Sequence, residues 1–311
     1  MIKIASLSIA EALLACGLAA APAQAGPNRT WVSVMGTDSG ACTRAAPCKT
    51  FAFALSQTAA GGEIDVVDPG GYGMVTITKA ISIVNDGAGA ATIGTASGNG
   101  VTITAGTRDN VYLRGLTIQG LGSGANGILF NTGGNLEIEN CVIRNFSNGI
   151  NIAPSTSSSF AVSNTIASNN SAVGIQIGPT GSPVVMGVLS KVTANNNNNT
   201  GIAVNGAFTA GASLNVTIVD SEASNNGTIG VLAASTSGHA ATAVMLRNSD
   251  ARNNSTGLFA VGAILRVAHS VVTGNVAGVD ALSGTLDSYG HNDIDGNMNN
   301  NLGALTVIPT H

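Results

Sequence analysis

Val216-Thr217-Ile218-Val219-Asp220-Ser221-Glu222-Ala223-Ser224-Asn225-Asn226, followed shortly by Gly230-Val231, is one copy of a pattern that recurs through most of a 311-residue chain. Copies begin at Leu136, Phe160, Met186, Val216, Val244 and Leu265. Each runs apolar, any, apolar, any, a polar turn residue, a small residue, any, and a small or apolar residue. Six residues after the polar turn stand Asn170, Asn196, Asn226, Asn254 and Asn275, with Phe146 in that place in the first copy. A glycine followed by an aliphatic residue comes next, at Gly127, Gly149, Gly174, Gly201, Gly230, Gly257 and Gly278, at intervals of 21 to 29 residues.

Alternation of apolar residues is the period of a strand, whose inward side chains must find a core. One such coil cannot bury its own apolar face. Stacked coils can, because each strand then hydrogen-bonds to the strands above and below it, about 4.8 Å away, and like residues line up in columns. The intervals are too short for strand-helix-strand units, and a β-sandwich would not keep this register. The expected fold is all-β, a single-stranded right-handed parallel β-helix. In it, Asn170, Asn196, Asn226, Asn254 and Asn275 form a structural ladder at a repeated corner, and the glycines occupy places that a β-carbon would obstruct.

Composition agrees. Hydrophobic residues make up 44% of the chain and charged residues 9%, so a large core is buried and the 41 glycines serve turns. A net charge of −4 without a basic run excludes a footprint for nucleic acid. Residues 1–25 read as an export signal: Lys3, an apolar stretch to Ala21 interrupted by Glu11, and Ala23-Gln24-Ala25 as the cleavage site. Leu13-Leu14-Ala15-Cys16 offers the alternative of a lipoprotein signal with Cys16 lipidated. Either way the destination is secreted or periplasmic, and no later stretch reaches the roughly 18 apolar residues of a membrane span. Residues 26–62 read as an N-terminal cap, 63–290 as the coils and 291–311 as a C-terminal cap. Thr50 followed by Phe51, Phe53, Ala54 and Leu55 predicts a short amphipathic helix that closes the first coil. In an oxidising compartment Cys42 and Cys48 are expected to be bridged, leaving Cys141 as an inward-facing thiol.

The stretch from Trp31 through Pro47, Lys49-Thr50-Phe51, Ala54-Leu55, Gly61-Gly62 and Gly71-Tyr72 resembles the N-terminal cap and first strand of the pectate-lyase-like right-handed β-helix proteins exported by bacteria. The repeat from Val111 to Asn297 resembles their coils, so the likeness spans nearly all of the mature chain. It implies a fold that carries polysaccharide lyases, hydrolases, epimerases and non-catalytic binders. The lyases of the family gather calcium with acidic residues and use an arginine base, and the hydrolases use clustered aspartates. Neither motif is present in full.

The register predicts exterior neighbours. Asp220, Asn248 and His269 fall in one outward column, Glu222 and Asp250 in the next, and Arg247, Arg252 and Arg266 on the same flank. Asp220, Glu222, Asp250 and His269, with Arg247 or Arg252, are therefore the candidate catalytic set; stacked carboxylates perturb one another or bind a divalent cation. The competing reading is a row of solvated ion pairs. Asp287, Asp293 and Asp295 are candidate metal ligands, for calcium if there is a cofactor at all. Lys191 lies in a column otherwise held by Cys, Thr and Ser, which implies a bulge or an escape to the surface. The expected function is non-catalytic binding of polysaccharide or another surface molecule by a monomer, with a polysaccharide lyase or glycoside hydrolase as the alternative. A catalytic groove would need loops 179–184 or 206–213 as walls.

Overall fold

The computed structural model describes residues 26–303 and 305–309. Residues 1–25, read above as an export signal and including Cys16, lie outside them. All pairings between strands are parallel, each strand lying on its counterpart one repeat away. The chain passes in turn through three faces, as in Asn135–Glu139, Val142–Arg144 and Asn148–Ile152. The first face is a sheet of twelve strands, from Arg29–Val32 to Leu305–Val307, and the third has ten, from Val75–Ile77 to Asn299–Asn301. The second face is a five-stranded and a three-stranded sheet, joined through Thr193, which bridges to Ile166 and Glu222, and through the Glu222–Asp250 bridge. Strands begin inside the segment read as an N-terminal cap. They continue through 293–307, so that the C-terminal segment forms further coil on all three faces.

Register turns the repeat into columns. Ile64, Ile83, Leu113, Ile138, Val162, Leu189, Ile218, Leu246 and Val267 follow one another down the inside of the first face, all buried. One copy is offset from its expected place by a residue. Gly187, not Met186, stands opposite Phe160 and Val216, because the Phe160 ring fills the space there: a β-carbon at 187 would lie 2.1 Å from it. The shift moves Lys191 into the polar corner, beside Asn164 and Asp220, and moves Val192 into the Cys/Thr/Ser column. It also replaces Asn196 by Asn197 in the ladder. Asn196 is exposed, whereas Asn197 is 1% exposed.

The ladder itself is continuous. The side-chain Oδ1 of Asn170, Asn197, Asn226, Asn254, Asn275 and Asn297 each accepts the backbone N–H of the residue one coil earlier, at 2.8–3.1 Å. From Asn197 onward it also accepts that asparagine's Nδ2, at 2.9–3.1 Å. These asparagines are not the left-handed ones. Asn169, Asn196, Asn225 and Asn253, each just before a ladder asparagine, and Asn145 before Phe146 take positive φ, 55–63°, so turning the chain and filling the corner are divided between two neighbours. The repeated glycines lie directly beneath the ladder. A β-carbon on Gly201 would sit 2.7 Å from Asn226 Nδ2 and 2.8 Å from the Gly230 carbonyl oxygen, with parallel contacts at Gly149, Gly174, Gly230 and Gly257. The inward residues beside the ladder are correspondingly small: Ala167, Ala194, Ala223 and Ala251 follow Ile93, Ile118 and Ile143.

The expected helix is Phe51–Gln57, with Thr50 accepting from Phe53 N–H and Phe51, Ala54 and Leu55 buried over the first coil. Cys42 and Cys48 form a disulfide. Cys141 is fully buried, and burial pushes its thiol up to about 12. The thiolate is the reactive form, so Cys141 is expected to resist a thiol-specific reagent at pH 8 in the folded protein and to react at once in denaturant. Labelling of Cys141 itself in the native chain, located by peptide mass, would contradict this. Among the described residues, no helix is long and apolar enough to cross a membrane.

Candidate functional site

The corner between the first and second faces is built from residues held at positive φ: Asn140, Asn164, Lys191, Asp220, Asn248, His269 and His291, all between 46° and 54°. Left-handed backbone at the end of a strand turns the chain sharply and leaves each side chain on the outer edge. The expected column of Asp220, Asn248 and His269 is therefore present, with Lys191 and His291 added. Asn248 Nδ2 donates to Asp220 Oδ1 at 2.5 Å, and the rings of His269 and His291 stack with centroids 5.5 Å apart.

One step into the second face, Glu222 and Asp250 are bridge partners. Arg252 Nη2 lies 2.7 Å from Asp250 Oδ2 and 3.7 Å from Glu222 Oε1, with all three side chains about one-third exposed or more. Lys191, Thr193, Asp220, Glu222, Asn248 and Asp250 line an open depression of about 460 Å³. It holds three carboxylates and an amine, but two of the carboxylates are shared with one guanidinium. At this exposure such pairs contribute about 0–1 kcal/mol to stability.

A family described as right handed beta helix region matches residues 73–241. The chain belongs to that family. No curated protein matches it in sequence. Among solved structures, this β-helix is similar to pectate lyase Pel9A, with a TM-score of 0.65 and 17% identity, over 92% of this chain and 78% of that one. A mannuronan C-5 epimerase A-module from Azotobacter vinelandii, AlgE6, aligns with a TM-score of 0.49 and 14% identity, over 81% and 92% respectively. At such identities the likeness is one of fold.

The β-helix separates some residues that the register grouped. Arg247 lies on the first face opposite Val219 and Ala268, and Arg266 lies there opposite Met245 and Asp287. Only Arg252 reaches the acids of the second face. The reason is the corner: residues before and after the left-handed position belong to different sheets, so sequence proximity does not keep them on one flank. His269 stacks on His291 and, like Arg247, does not line the depression.

The metal candidates are similarly dispersed. Asp287 is on the first face, 3.8 Å from Arg266, whereas Asp293 is on the second. Asp295 Oδ1 accepts Gly296 N–H and Asn300 Nδ2, hydrogen bonds that hold its carboxyl below the usual range. Among the described residues, no group of three His, Cys, Asp or Glu gathers to hold a metal ion.

Loops 179–184 and 206–213 do stack, but at the corner between the third and first faces. Gly181 bridges Thr209, Ala210 N–H donates to the Gly181 carbonyl at 2.5 Å, and the ring of the exposed His239 bonds the Thr209 carbonyl. They lie along one edge of the first face, the edge away from the acids. On that face Met186, Val188, Asn215, Thr217, Met245 and Arg266 line a depression of about 360 Å³. A third depression, about 370 Å³, lies at its N-terminal end around Trp31, Arg44 and Asp86. The repeat could not reveal it, because these residues precede the first copy; the only signals were a single tryptophan and an arginine between two cysteines.

Proposed function

We propose that this protein is an exported, non-catalytic binder of an extended polysaccharide, which lies along the first face. One observation carries the reading. Arg29, Glu63, Ser82, Tyr112, Glu137, Ala161, Val188, Thr217, Met245, Arg266, Asp287 and Thr306 form a single outward column across all twelve strands. Its rise of about 4.8 Å per strand offers a linear polymer a repeating set of polar and apolar contacts. The stacked loops run along one edge of that face. The fold likeness to a pectate lyase favours polysaccharide as the polymer, and the Cys42–Cys48 disulfide suits an oxidising compartment.

The alternative, a lyase or hydrolase, draws on the depression around Asp220, Glu222 and Asp250. A pair of sugar-cleaving carboxylates must flank the substrate bond, roughly 5 Å or more apart. Here one guanidinium, that of Arg252, pairs with Asp250 at 2.7 Å and reaches Glu222 at 3.7 Å, which is the arrangement of an ion-pair network. Calorimetric titration with uronate-containing polymers is expected to show binding, without unsaturated product in the ultraviolet, and Asp250→Ala is expected to leave the binding unchanged. Product formation abolished by Asp250→Ala would reverse the choice between the two readings.

A further inference from the structure

The outer side of the first face carries an apolar patch at its middle. Val184, Met186 and Val188 are exposed on one strand, and Met245 lies two strands further on. Contiguous apolar side chains exposed on a sheet mark a contact surface. Charges flank the patch, acidic on its N-terminal side and basic on its C-terminal side. Glu137 and Glu139 stand two strands before Val188, and Arg247 and Arg266 two and three strands after it. Glu137 is exposed, and among the described residues neither it nor Arg247 has an ion-pair partner.

This order of charges is complementary to itself when a second copy is turned end for end. A dyad in the plane of the interface, lying along the strands midway between Val184–Ser190 and Ser213–Val219, reverses the strand order and keeps each outward column against its own copy. Val188 then faces Thr217 of the second copy, Ala161 faces Met245, Glu137 faces Arg266 and Tyr112 faces Asp287, and symmetry makes every contact twice. The small Ala161 leaves room for the Met245 side chain. Arg247 falls opposite Ser163, one strand from Glu139. Neighbouring registers lose the match. Centred on Thr217, the dyad would set Glu137 against Asp287; centred on Val188, it would leave Glu137 against Met245. A dyad along the helix axis would oppose Glu137 to Glu137 and Arg266 to Arg266, and like charges brought together weaken association.

The extent of the surface suits such a contact. The eight strands from Asn110–Arg114 to Thr285–Ser288 span about 38 Å and five residues of strand about 16 Å, so roughly 600 Å² is covered on each copy. A total of about 1,200 Å² lies at the lower end of stable interfaces.

We propose that, without ligand, this protein is an antiparallel dimer joined through the middle of its first face, with Glu137 of each copy on Arg266 of the other. The inference goes beyond polysaccharide binding and does not need it. A polymer would lie on the same face, so polymer and second copy exclude each other, and that consequence alone rests on the proposed function.

Sedimentation velocity across the micromolar range, with no polysaccharide present, is expected to show a concentration-dependent dimer. Glu137→Arg and Arg266→Glu each oppose like charges twice across the dyad and are expected to weaken association about tenfold or more, with circular dichroism unchanged. Mixed in equal amounts, the two variants are expected to recover the dimer, because the mixed pair sets opposite charges at both symmetry-related sites. A monomer at every concentration, a dimer that both variants keep, or a mixture that stays monomeric would each overturn the proposal and leave the polysaccharide reading standing. Absence of heat with every polymer would remove that reading and leave the dimer.

Discussion

Asn226→Ala is expected to lower the free energy of unfolding by about 3 kcal/mol or more, one of the largest effects available from a single polar side chain here. The Oδ1 of Asn226 accepts the Asn197 backbone N–H and Asn197 Nδ2, both at 3.0 Å, and its Nδ2 donates to Asn254 Oδ1 at 3.1 Å. Truncation strands the backbone N–H of Asn197, a residue that is 1% exposed, and one of its two amide N–H groups, the other keeping the Ala167 carbonyl at 3.2 Å. Each buried unsatisfied group costs about 1–3 kcal/mol. Asn254 Oδ1 keeps the Asn226 backbone N–H at 2.9 Å, so the damage runs mainly toward the N-terminal side. The neighbouring Asn225→Ala is the control. Asn225 has φ 57° and is outside the buried ladder, so its replacement is expected to cost about 1–2 kcal/mol, from the left-handed backbone and from the exposed hydrogen bond it accepts from Asn253 Nδ2 at 3.2 Å. Urea unfolding of the two variants separates the effects; equal shifts would mean that the buried ladder contributes nothing beyond turn geometry.

Gly201→Ala is expected to be as damaging for the opposite reason, too much matter in place of too little. The new β-carbon would lie 2.7 Å from Asn226 Nδ2, 2.8 Å from the Gly230 carbonyl oxygen and 2.9 Å from the Ala194 carbonyl oxygen. Two of these three are backbone atoms, which move only if the next coil or the second face moves with them. Overpacking of this kind costs about 1–3 kcal/mol and occasionally more. Backbone freedom is not the issue, because Gly201 has no positive φ. The double variant Gly201→Ala with Asn226→Ala is informative, since removing Asn226 clears one of the three clashes. It is expected to be less destabilised than the sum of the single variants, yet less stable than either. Strict additivity would show that the glycine and asparagine columns are independent.

That coupling marks what could be read in advance. The Asn and Gly columns were visible as periodicities, and each predicted its coil. Their contact was not, because nothing in a linear pattern says that a glycine sits beneath an amide contributed by the following coil. Asn195 to Asn199 is the sharpest case. Five identical residues carry no internal mark of register, and the choice of Asn197 over Asn196 was made by the Phe160 ring filling the space over Gly187, one face away.

The site followed the same division. Vertical neighbours were legible: Asp220 with Asn248, and Glu222 with Asp250, come together as the repeat requires. Lateral neighbours were not, since a left-handed corner sends adjacent residues to different faces, parting Arg247 and Arg266 from Arg252. The Trp31 and Arg44 depression was beyond pattern altogether, for it joins a disulfide turn to a strand and to a turn some forty residues later.

By itself, then, the amino-acid order determined the coil, its parallel stacking and which residues recur along its length, because a strand's alternation and a repeated corner are local properties. Tertiary packing alone decided which of two adjacent asparagines is buried, which guanidinium meets which carboxylate, and where an arginine is left without a partner. Those outcomes depend on volume and charge supplied by chain segments distant in sequence, and only the closed stack brings them together.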